Sequence, residues 1–181
     1  IHRSLWKLFP ENAQAERDFL FHMEKSERTS AVIWMQSVRK PEASCNGANL
    51  LGCREYQLAL QKDQRLRFML VANPVKTIND ENGRTNDRGD LKKCRVPLIR
   101  DEDQRDWLSR KLKSGAEPEE LFIDPRHPLY FRKSGMAGKI KPVVFQGILK
   151  VIEPDAFVQI IHQGIGPAKA FGCGLMLVRR V

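Results

Sequence analysis

Apolar and polar positions repeat with two different periods along this chain. At residues 65–72 one face of a predicted strand carries Leu66, Phe68, Leu70 and Ala72, and the other carries Arg65, Arg67, Met69 and Val71. This pattern indicates a half-buried strand. Near the N-terminus, Ile1, Leu5 and Leu8 follow the spacing of one face of a helix. The pattern therefore predicts a protein that combines helices with strands.

The order of the predicted elements indicates a particular α+β architecture. From residue 65 onward the order is β-α-β-β-α-β, which is the split βαβ arrangement of a ferredoxin-like domain. The N-terminal part shows the same order if one further strand precedes Ile1. We therefore expect two tandem ferredoxin-like (RRM-like) domains, residues 1–62 and 63–181, with the first strand of the first domain missing from this chain. The predicted strands cover residues 19–24, 31–38, 55–60, 65–72, 129–132, 143–152 and 175–179, and the predicted helices begin near residues 1, 101 and 155.

The positive charge of the chain is concentrated in its C-terminal third. The formal net charge is +9, and residues 125–181 hold nine Lys and Arg residues against two acids, Glu153 and Asp155. Such an excess suits either a surface for polyanions or a basic face that maintains solubility. Composition excludes two other classes. Apolar residues make up 41% of the chain, too many for a disordered protein, and no apolar run is long enough for a membrane span.

The four cysteines do not follow a metal-binding pattern. No two of them have CxxC spacing and none has a suitably spaced His, so we expect reduced thiols and no zinc site. The chain also lacks a Walker-type phosphate loop and a close acidic cluster of the kind that holds two metal ions. We therefore expect neither a metal nor a cofactor.

Two segments of the C-terminal third have a composition that suits phosphate contacts. Residues 164–174 carry four glycines around Lys169, which let a backbone approach a phosphate closely, although a purely structural turn has the same composition. Residues 132–141 form a basic turn that leads into a strand, and they suit either the groove of structured RNA or a solvated loop. The four glycines are Gly164, Gly166, Gly172 and Gly174.

Several stretches of the chain resemble one known family. They are residues 5–10 (LWKLFP), 17–22 (RDFLFH), 68–77 (FMLVANPVKT), 94–99 (CRVPLI) and the Gly-rich residues 164–174. In this order they are similar to the CasE-type CRISPR endoribonucleases. These are the repeat-RNA processing members of the RAMP superfamily, found in the type I-E Cascade complex. The resemblance covers nearly the whole chain.

The resemblance implies a fold and a reaction. The family fold consists of two ferredoxin-like domains, in agreement with the predicted order of elements. The implied reaction is metal-independent cleavage of CRISPR repeat RNA at the base of its stem-loop. The upstream 2′-hydroxyl attacks the scissile phosphate and leaves a 2′,3′-cyclic phosphate and a 5′-hydroxyl. The implied partners are the repeat RNA stem-loop, which stays bound as part of the guide RNA, and other Cascade subunits in the cytoplasm, without a membrane.

The resemblance also implies candidate site residues. It places the catalytic histidine at His2, at the start of the first helix, and its neighbour Arg3 near the scissile phosphate. Lys139 resembles a family lysine that contacts RNA. Whether His2 acts as acid or base stays open at this point. Family members carry a strand and a loop before this histidine, so we expect such a segment in the full protein. The further RNA-binding candidates are Lys133, Lys141 and Lys169.

Two other classes of protein stay open on the sequence. A non-catalytic RNA-binding RAMP protein that scaffolds a ribonucleoprotein would share the fold and the charge, and would differ in whether His2 lies near a phosphate. A basic α+β adaptor with protein partners would bind RNA without the steep salt dependence that phosphate contacts impose. The Gly-rich segment and the basic C-terminal third disfavour the adaptor.

Overall fold

The computed structural model describes residues 1–9, 17–42, 44–45, 47–80, 83–85, 87–133 and 136–181, with the backbone alone at residues 44, 45, 133 and 136. Within these ranges, helices occupy His2–Trp6 (α1), Asp101–Leu112 (α2) and Pro154–Gln163 (α3), and a short 3₁₀ helix covers Lys169–Phe171. The strands are Phe19–Ser26 (β1), Ala31–Ser37 (β2), Ser44–Cys45 (β3), Ala48–Asn49 (β4), Arg65–Ala72 (β5), Val75–Asn79 (β6), Lys93–Pro97 (β7), Ala116–Pro125 (β8), Leu129–Lys133 (β9), Met136–Ile140 (β10), Val143–Val151 (β11) and Met176–Arg180 (β12).

The C-terminal half folds as a four-stranded antiparallel sheet with two helices. The strand order is β12-β5-β11-β8, so the first and third strands of the unit pair at its centre. The central pair runs from Arg65 opposite Lys150 to Ala72 opposite Val143. With α2 and α3 as its helices, this half has the β-α-β-β-α-β order that the sequence predicted.

One face of this sheet supplies the main core. β5 buries alternate side chains, including Phe68 and Leu70, as the pattern of its sequence predicted. Trp107 of α2 and Phe157 of α3 belong to the same buried cluster, so both helices cover the same face. The ring of Trp107 stacks on that of Phe145 at a centroid distance of 6.0 Å.

One strand of this sheet is not where the sequence predicted it. The prediction placed it at residues 129–132, whereas the structure forms it at Ala116–Pro125 (β8) and pairs Leu129–Lys133 (β9) with β10 in a separate hairpin. β8 contains Pro118 and Pro125 together with several acids, a composition more typical of a turn. β8 lies at the edge of the sheet, where proline is tolerated because one side of the strand has no pairing partner.

The N-terminal half is smaller. β1 and β2 form an antiparallel hairpin with Phe19 opposite Ser37, as predicted, and α1 packs against it. The buried side chains of this half include Leu5, Phe19 and Phe21. The additional strand expected before Ile1 stays a prediction.

The segment at residues 55–60 has no regular secondary structure, so the predicted strand there is wrong. It pairs with no other strand among the residues that the structure describes. Its apolar side chains Leu58 and Leu60 instead pack against the C-terminal core. The apolar side chains of this segment are therefore sheltered by packing rather than by membership of a sheet. The domain boundary at residue 62 stays a prediction.

Two hairpins extend the C-terminal half beyond its sheet. β6 pairs with β7 from Val75 opposite Pro97 to Asn79 opposite Lys93. The second hairpin joins β9 and β10. Among the described residues, none of the helices has both the length and the apolar run that crossing a bilayer requires.

Candidate functional site

His2 lies at the start of α1 and packs against aromatic side chains. Its ring centroid is 5.7 Å from that of Phe19 and 6.4 Å from those of Trp6 and Phe21. Trp6 follows one helical turn later, while Phe19 and Phe21 share one face of β1, so the local geometry gathers the three rings. The Nε2 atom of His2 is buried and has no hydrogen-bond partner among the described residues. Such an atom is uncommon in a folded protein, so His2 is a candidate for a functional role.

The surroundings of His2 favour its neutral form. Burial lowers the pKa of its imidazole, and the positive charges of Arg17 and of the Ile1 amino group lower that pKa further. At pH 7 the neutral ring is therefore the dominant form. A neutral imidazole accepts a proton at one nitrogen and carries a proton on the other.

The Gly-rich segment runs between the two halves of the molecule. At Gly164, which ends α3 with a φ of 73°, a Cβ atom would lie 2.7 Å from the side chain of Leu20. At Gly172, with a φ of 81°, a Cβ atom would lie 3.2 Å from the ring of Phe21. Glycine adopts this left-handed conformation without strain and leaves room for the close approach. Both glycines thus bring the C-terminal loop against β1.

The other two glycines make contacts inside the C-terminal half. Gly166 lies against the ring of Trp107. Gly174 donates its N–H to the carbonyl oxygen of Val71 at 2.7 Å and accepts a hydrogen bond from the N–H of Ile165 at 2.9 Å. Packing and backbone pairing within the protein therefore account for the positions of these two glycines.

Lys169 and Arg17 bring positive charge to the junction of the two halves. The ammonium of Lys169 donates a hydrogen bond to the carbonyl oxygen of Gln163, at the end of α3. Burial lowers the pKa of Lys169, and the charges of Arg17 and Lys111 lower it further. Arg17 thus lowers the pKa of both His2 and Lys169. We refer to Arg17 and Lys169, one from each half of the chain, together with His2, whose pKa Arg17 also lowers, as the electropositive site.

Sequence reasoning did not single out Arg17, whose charge lowers the pKa of His2 and of Lys169. It opens the matched stretch 17–22 and stands two residues before Phe19, so it falls on the alternation that places Phe19 and Phe21 next to His2. That alternation is the signal from which its position could have been predicted.

An open cleft of about 2810 Å³ lies next to this electropositive site. β1 and β2 contribute to one wall, and β5, β11 and β12 contribute to the other. Ile1, Ser4, Arg17 and Lys169 all line this cleft, so the cationic groups face a space that a ligand can enter.

The β9–β10 hairpin is attached to the Gly-rich segment. The ring of Phe131 on β9 lies 4.8 Å from that of Phe171, which follows Lys169 by two residues. Lys139 on β10 is exposed, and its Nζ lies 5.2 Å above the ring of Tyr130, itself exposed. The hairpin thus presents a cation and an aromatic face to solvent, which is the combination that RNA-binding surfaces use.

The remaining sequence candidates lie around this arrangement. Arg3 is exposed on α1. Lys141 follows β10, and its backbone N–H donates to the buried Oδ1 of Asn73 at 3.3 Å. Lys133 is the last residue of β9 and is described by its backbone alone. Within the described part of the chain, no group of three or more His, Cys, Asp or Glu residues is placed to hold a metal ion.

Comparison with known proteins places this chain in a family. The family model described as CRISPR associated protein matches residues 1–180. The chain belongs to this CRISPR-associated family. The CRISPR system Cascade subunit CasE of Escherichia coli (strain K12) is 41% identical over 177 residues, which are 97% of this chain and 88% of the relative. The resemblance to CasE-type proteins is therefore confirmed.

Solved structures of CRISPR-associated proteins share the fold. The crystal structure of Cas6e from Escherichia coli K-12 superposes with a TM-score of 0.84 at 39% identity, covering 99% of this chain and 90% of that chain. The CRISPR-associated endoribonuclease Cse3 of Thermus thermophilus is 27% identical over 98% of this chain and 88% of the relative. Its structure bound to an RNA that represents a pre-cleavage complex gives a TM-score of 0.75 at 26% identity, covering 98% of this chain and 86% of that chain. These matches confirm the expected fold class of two tandem ferredoxin-like domains.

Proposed function

We propose that this protein is an endoribonuclease that cuts CRISPR precursor RNA at the base of the repeat stem-loop and stays bound to the mature guide RNA within Cascade. One observation carries the proposal. His2, whose Nε2 has no hydrogen-bond partner among the described residues, lies within reach of the charge of Arg17 in a chain that is 41% identical to a Cascade subunit. The Thermus relative is named an endoribonuclease, which supports the reaction, and its RNA-bound structure supports the substrate.

The chemistry requires little of the protein because RNA brings its own nucleophile. The 2′-hydroxyl of the upstream nucleotide loses its proton, and its oxygen bonds to the scissile phosphorus. The bond from phosphorus to the 5′-oxygen breaks, and that oxygen takes up a proton. The products are a 2′,3′-cyclic phosphate and a 5′-hydroxyl. No step needs a metal-activated water, so the proposed reaction is metal-independent.

His2 is the proposed catalytic residue. Its neutral form can take the proton from the 2′-hydroxyl, and its protonated form can give one to the leaving 5′-oxygen. Positive charge stabilises the extra negative charge on the phosphate in the transition state. We assign Arg3, the exposed neighbour of His2 on α1, to the same phosphate region.

The C-terminal half is the proposed binding surface for the RNA hairpin. Lys139 and Tyr130 supply charge and an aromatic face on the β9–β10 hairpin. The Phe131–Phe171 contact ties this surface to the Gly-rich segment beside the reactive site. A product held there would stay bound after cleavage, as a Cascade subunit requires. We assign Lys133, Lys141 and Lys169 to this RNA-facing region. The glycines Gly164, Gly166, Gly172 and Gly174 support it through the packing that holds the Gly-rich segment in place.

The proposed place of action is the cytoplasm. Cys53, Cys94 and Cys173 are free thiols, as suits a reducing compartment. The proposed substrate is a transcript, and a cytoplasmic enzyme meets it where it is made.

The decisive experiment uses the full-length protein and a labelled hairpin from its own CRISPR repeat, in the presence of EDTA. We expect cleavage of this RNA, and no cleavage when the nucleotide upstream of the scissile phosphate is 2′-deoxy. His2→Ala should lower the single-turnover rate by about 10²–10⁴-fold while binding persists. His127→Ala changes an exposed histidine between β8 and β9 and should cleave normally. Tight binding without cleavage by the wild type would instead leave a non-catalytic RNA-binding scaffold.

A further inference from the structure

We propose that Arg17 and Lys169, one from each half of the chain, together hold the scissile phosphate beside His2, and that Arg17 stabilises the charge that develops on it. The inference rests on the proposed function and adds a catalytic residue to it. Neither the family resemblance nor the sequence pattern assigned Arg17 a role.

The first support is geometric. Arg17 precedes Phe19 by two residues, and the ring of Phe19 lies 5.7 Å from that of His2. Arg17 and Lys169 line the same cleft. Ile1, which precedes His2, and Ser4, which follows it by two residues, also line this cleft, whereas His2 itself does not. The two cations thus reach the cleft from different halves of the molecule.

The second support is that no acid among the described residues pairs with these cations. Asp18 is adjacent to Arg17 and lines the same cleft, but its two carboxylate oxygens accept hydrogen bonds from Arg39 at 2.5 and 3.1 Å. The guanidinium of Arg39 also lies 4.8 Å from the centre of the Phe9 ring. Among the described residues, no acid forms an ion pair with Arg17 or with Lys169.

The third support is electrostatic. Enough protein surrounds the guanidinium of Arg17 for burial to lower its pKa, although the residue is exposed overall. Lys169 is likewise partly desolvated, and its pKa is further lowered by Arg17 and Lys111. Like charges gathered in a partly desolvated place repel one another, and an anion relieves that repulsion. A phosphodiester is the anion that the proposed substrate supplies.

The two cations differ in what they offer. The ammonium of Lys169 is oriented by its hydrogen bond to the carbonyl oxygen of Gln163 and acts as a point charge. The guanidinium of Arg17 has several donors in a planar fork and can bind two phosphate oxygens at once. As the phosphate gains charge in the transition state, these charge-assisted hydrogen bonds strengthen.

The test measures single-turnover cleavage of the repeat hairpin by Arg17→Ala, Arg17→Lys and wild type at saturating protein. Arg17→Ala should lower the rate by about 10²-fold, a typical loss for one transition-state donor. Arg17→Lys should restore part of it, because charge returns without the fork. Arg28→Ala, which removes an exposed arginine from the β1–β2 turn, is the matched control and should keep the wild-type rate.

Two further readouts separate catalysis from folding. Arg17→Ala removes a charge that lowers the pKa of His2, so the apparent pKa in the profile of kcat/KM against pH should rise, whereas Arg17→Lys should leave it in place. The double variant Arg17→Ala/Lys169→Ala should lose less than the product of the single losses, because both groups hold one phosphate.

The outcomes also distinguish this inference from the proposed function. Wild-type cleavage by Arg17→Ala, alongside an inactive His2→Ala, would overturn the role of Arg17 and leave the endoribonuclease standing. A slower Arg17→Ala with an unchanged profile and lower thermal stability would assign Arg17 a structural role and overturn the inference as well. If the wild type binds the hairpin without cutting it, the proposed function fails first.

Discussion

The two halves of the molecule bury very different amounts of apolar surface. The C-terminal half closes a core between four strands and two helices, with Phe145, Phe157 and Leu108 fully buried. The N-terminal half has a small buried cluster beside a two-stranded hairpin, made of Leu5 on α1, Leu8 and Phe9 after it, and Phe19 and Phe21 on β1. Yet the proposed catalytic histidine lies in the thinner half. The proposed site therefore depends on the Gly-rich segment, through which the larger half holds the smaller half in place.

The largest expected effect on stability comes from creating a cavity in the core of the C-terminal half. Phe145→Ala should lower the free energy of unfolding by about 3–5 kcal/mol, because it removes a fully buried ring and leaves a cavity. Phe19→Ala should lower the free energy of unfolding by less, since the small cluster around it can relax. It should increase the rate of hydrogen exchange in α1, β1 and β2 alone. Urea unfolding and hydrogen exchange measure the two effects. Leu51→Ala, at a residue that is 87% exposed, is the control. Equal loss of protection in both halves after Phe19→Ala would show that they unfold as one.

A smaller effect should come from the contact that joins the halves. Gly164→Ala places a Cβ atom 2.7 Å from Leu20 at a φ of 73°, so we expect a loss of about 1–3 kcal/mol together with slower RNA cleavage. Gly52→Ala is the matched control, since its Cβ would meet nothing within 4 Å and its φ is ordinary. Thermal unfolding and limited proteolysis between α1 and β2 report the result. The proposed coupling fails if both variants behave alike.

The smallest effect should be a change in cleavage activity with pH. The lowered pKa of His2 predicts that kcat/KM changes with a midpoint below the ordinary histidine value of about 6.5. If neutral His2 is the base, the rate rises about tenfold per pH unit up to that midpoint and is flat above it. If protonated His2 is the acid, the rate falls above the same midpoint. Rates of hairpin cleavage across pH 5–8 measure this, and a midpoint above 6.5 would contradict the burial of the ring.

Much of the fold could be predicted from the sequence because its strongest patterns are local. β5 alternates cleanly, and α2 and α3 carry apolar residues at helical spacing. The strand at Ala116–Pro125 could not be predicted, since its prolines are acceptable only at a sheet edge, and the edge exists only in the folded molecule. Residues 55–60 have the pattern of a strand, but no neighbouring strand pairs with them in the described structure.

The candidate site shows the same division between local and long-range information. The resemblance indicated His2, and the sequence alone drew attention to Lys169 within a Gly-rich segment. Neither indicated that Gly164 and Gly172 pack on β1, because those contacts join residues more than 140 positions apart. The effect of Arg17 on Lys169 was missed for the same reason, because it depends on how the two halves meet.

The edge strand β8 also bears on how this protein behaves among other chains. An uncovered edge offers a row of backbone groups to which a second molecule can add a strand, and this is a common start of aggregation. Pro118 and Pro125 each remove one N–H group from that row, and the shift in register opposite Ile148 and Leu149 bends it further. The prolines and the register shift therefore make this edge a poor template for strand addition by a second copy of the chain.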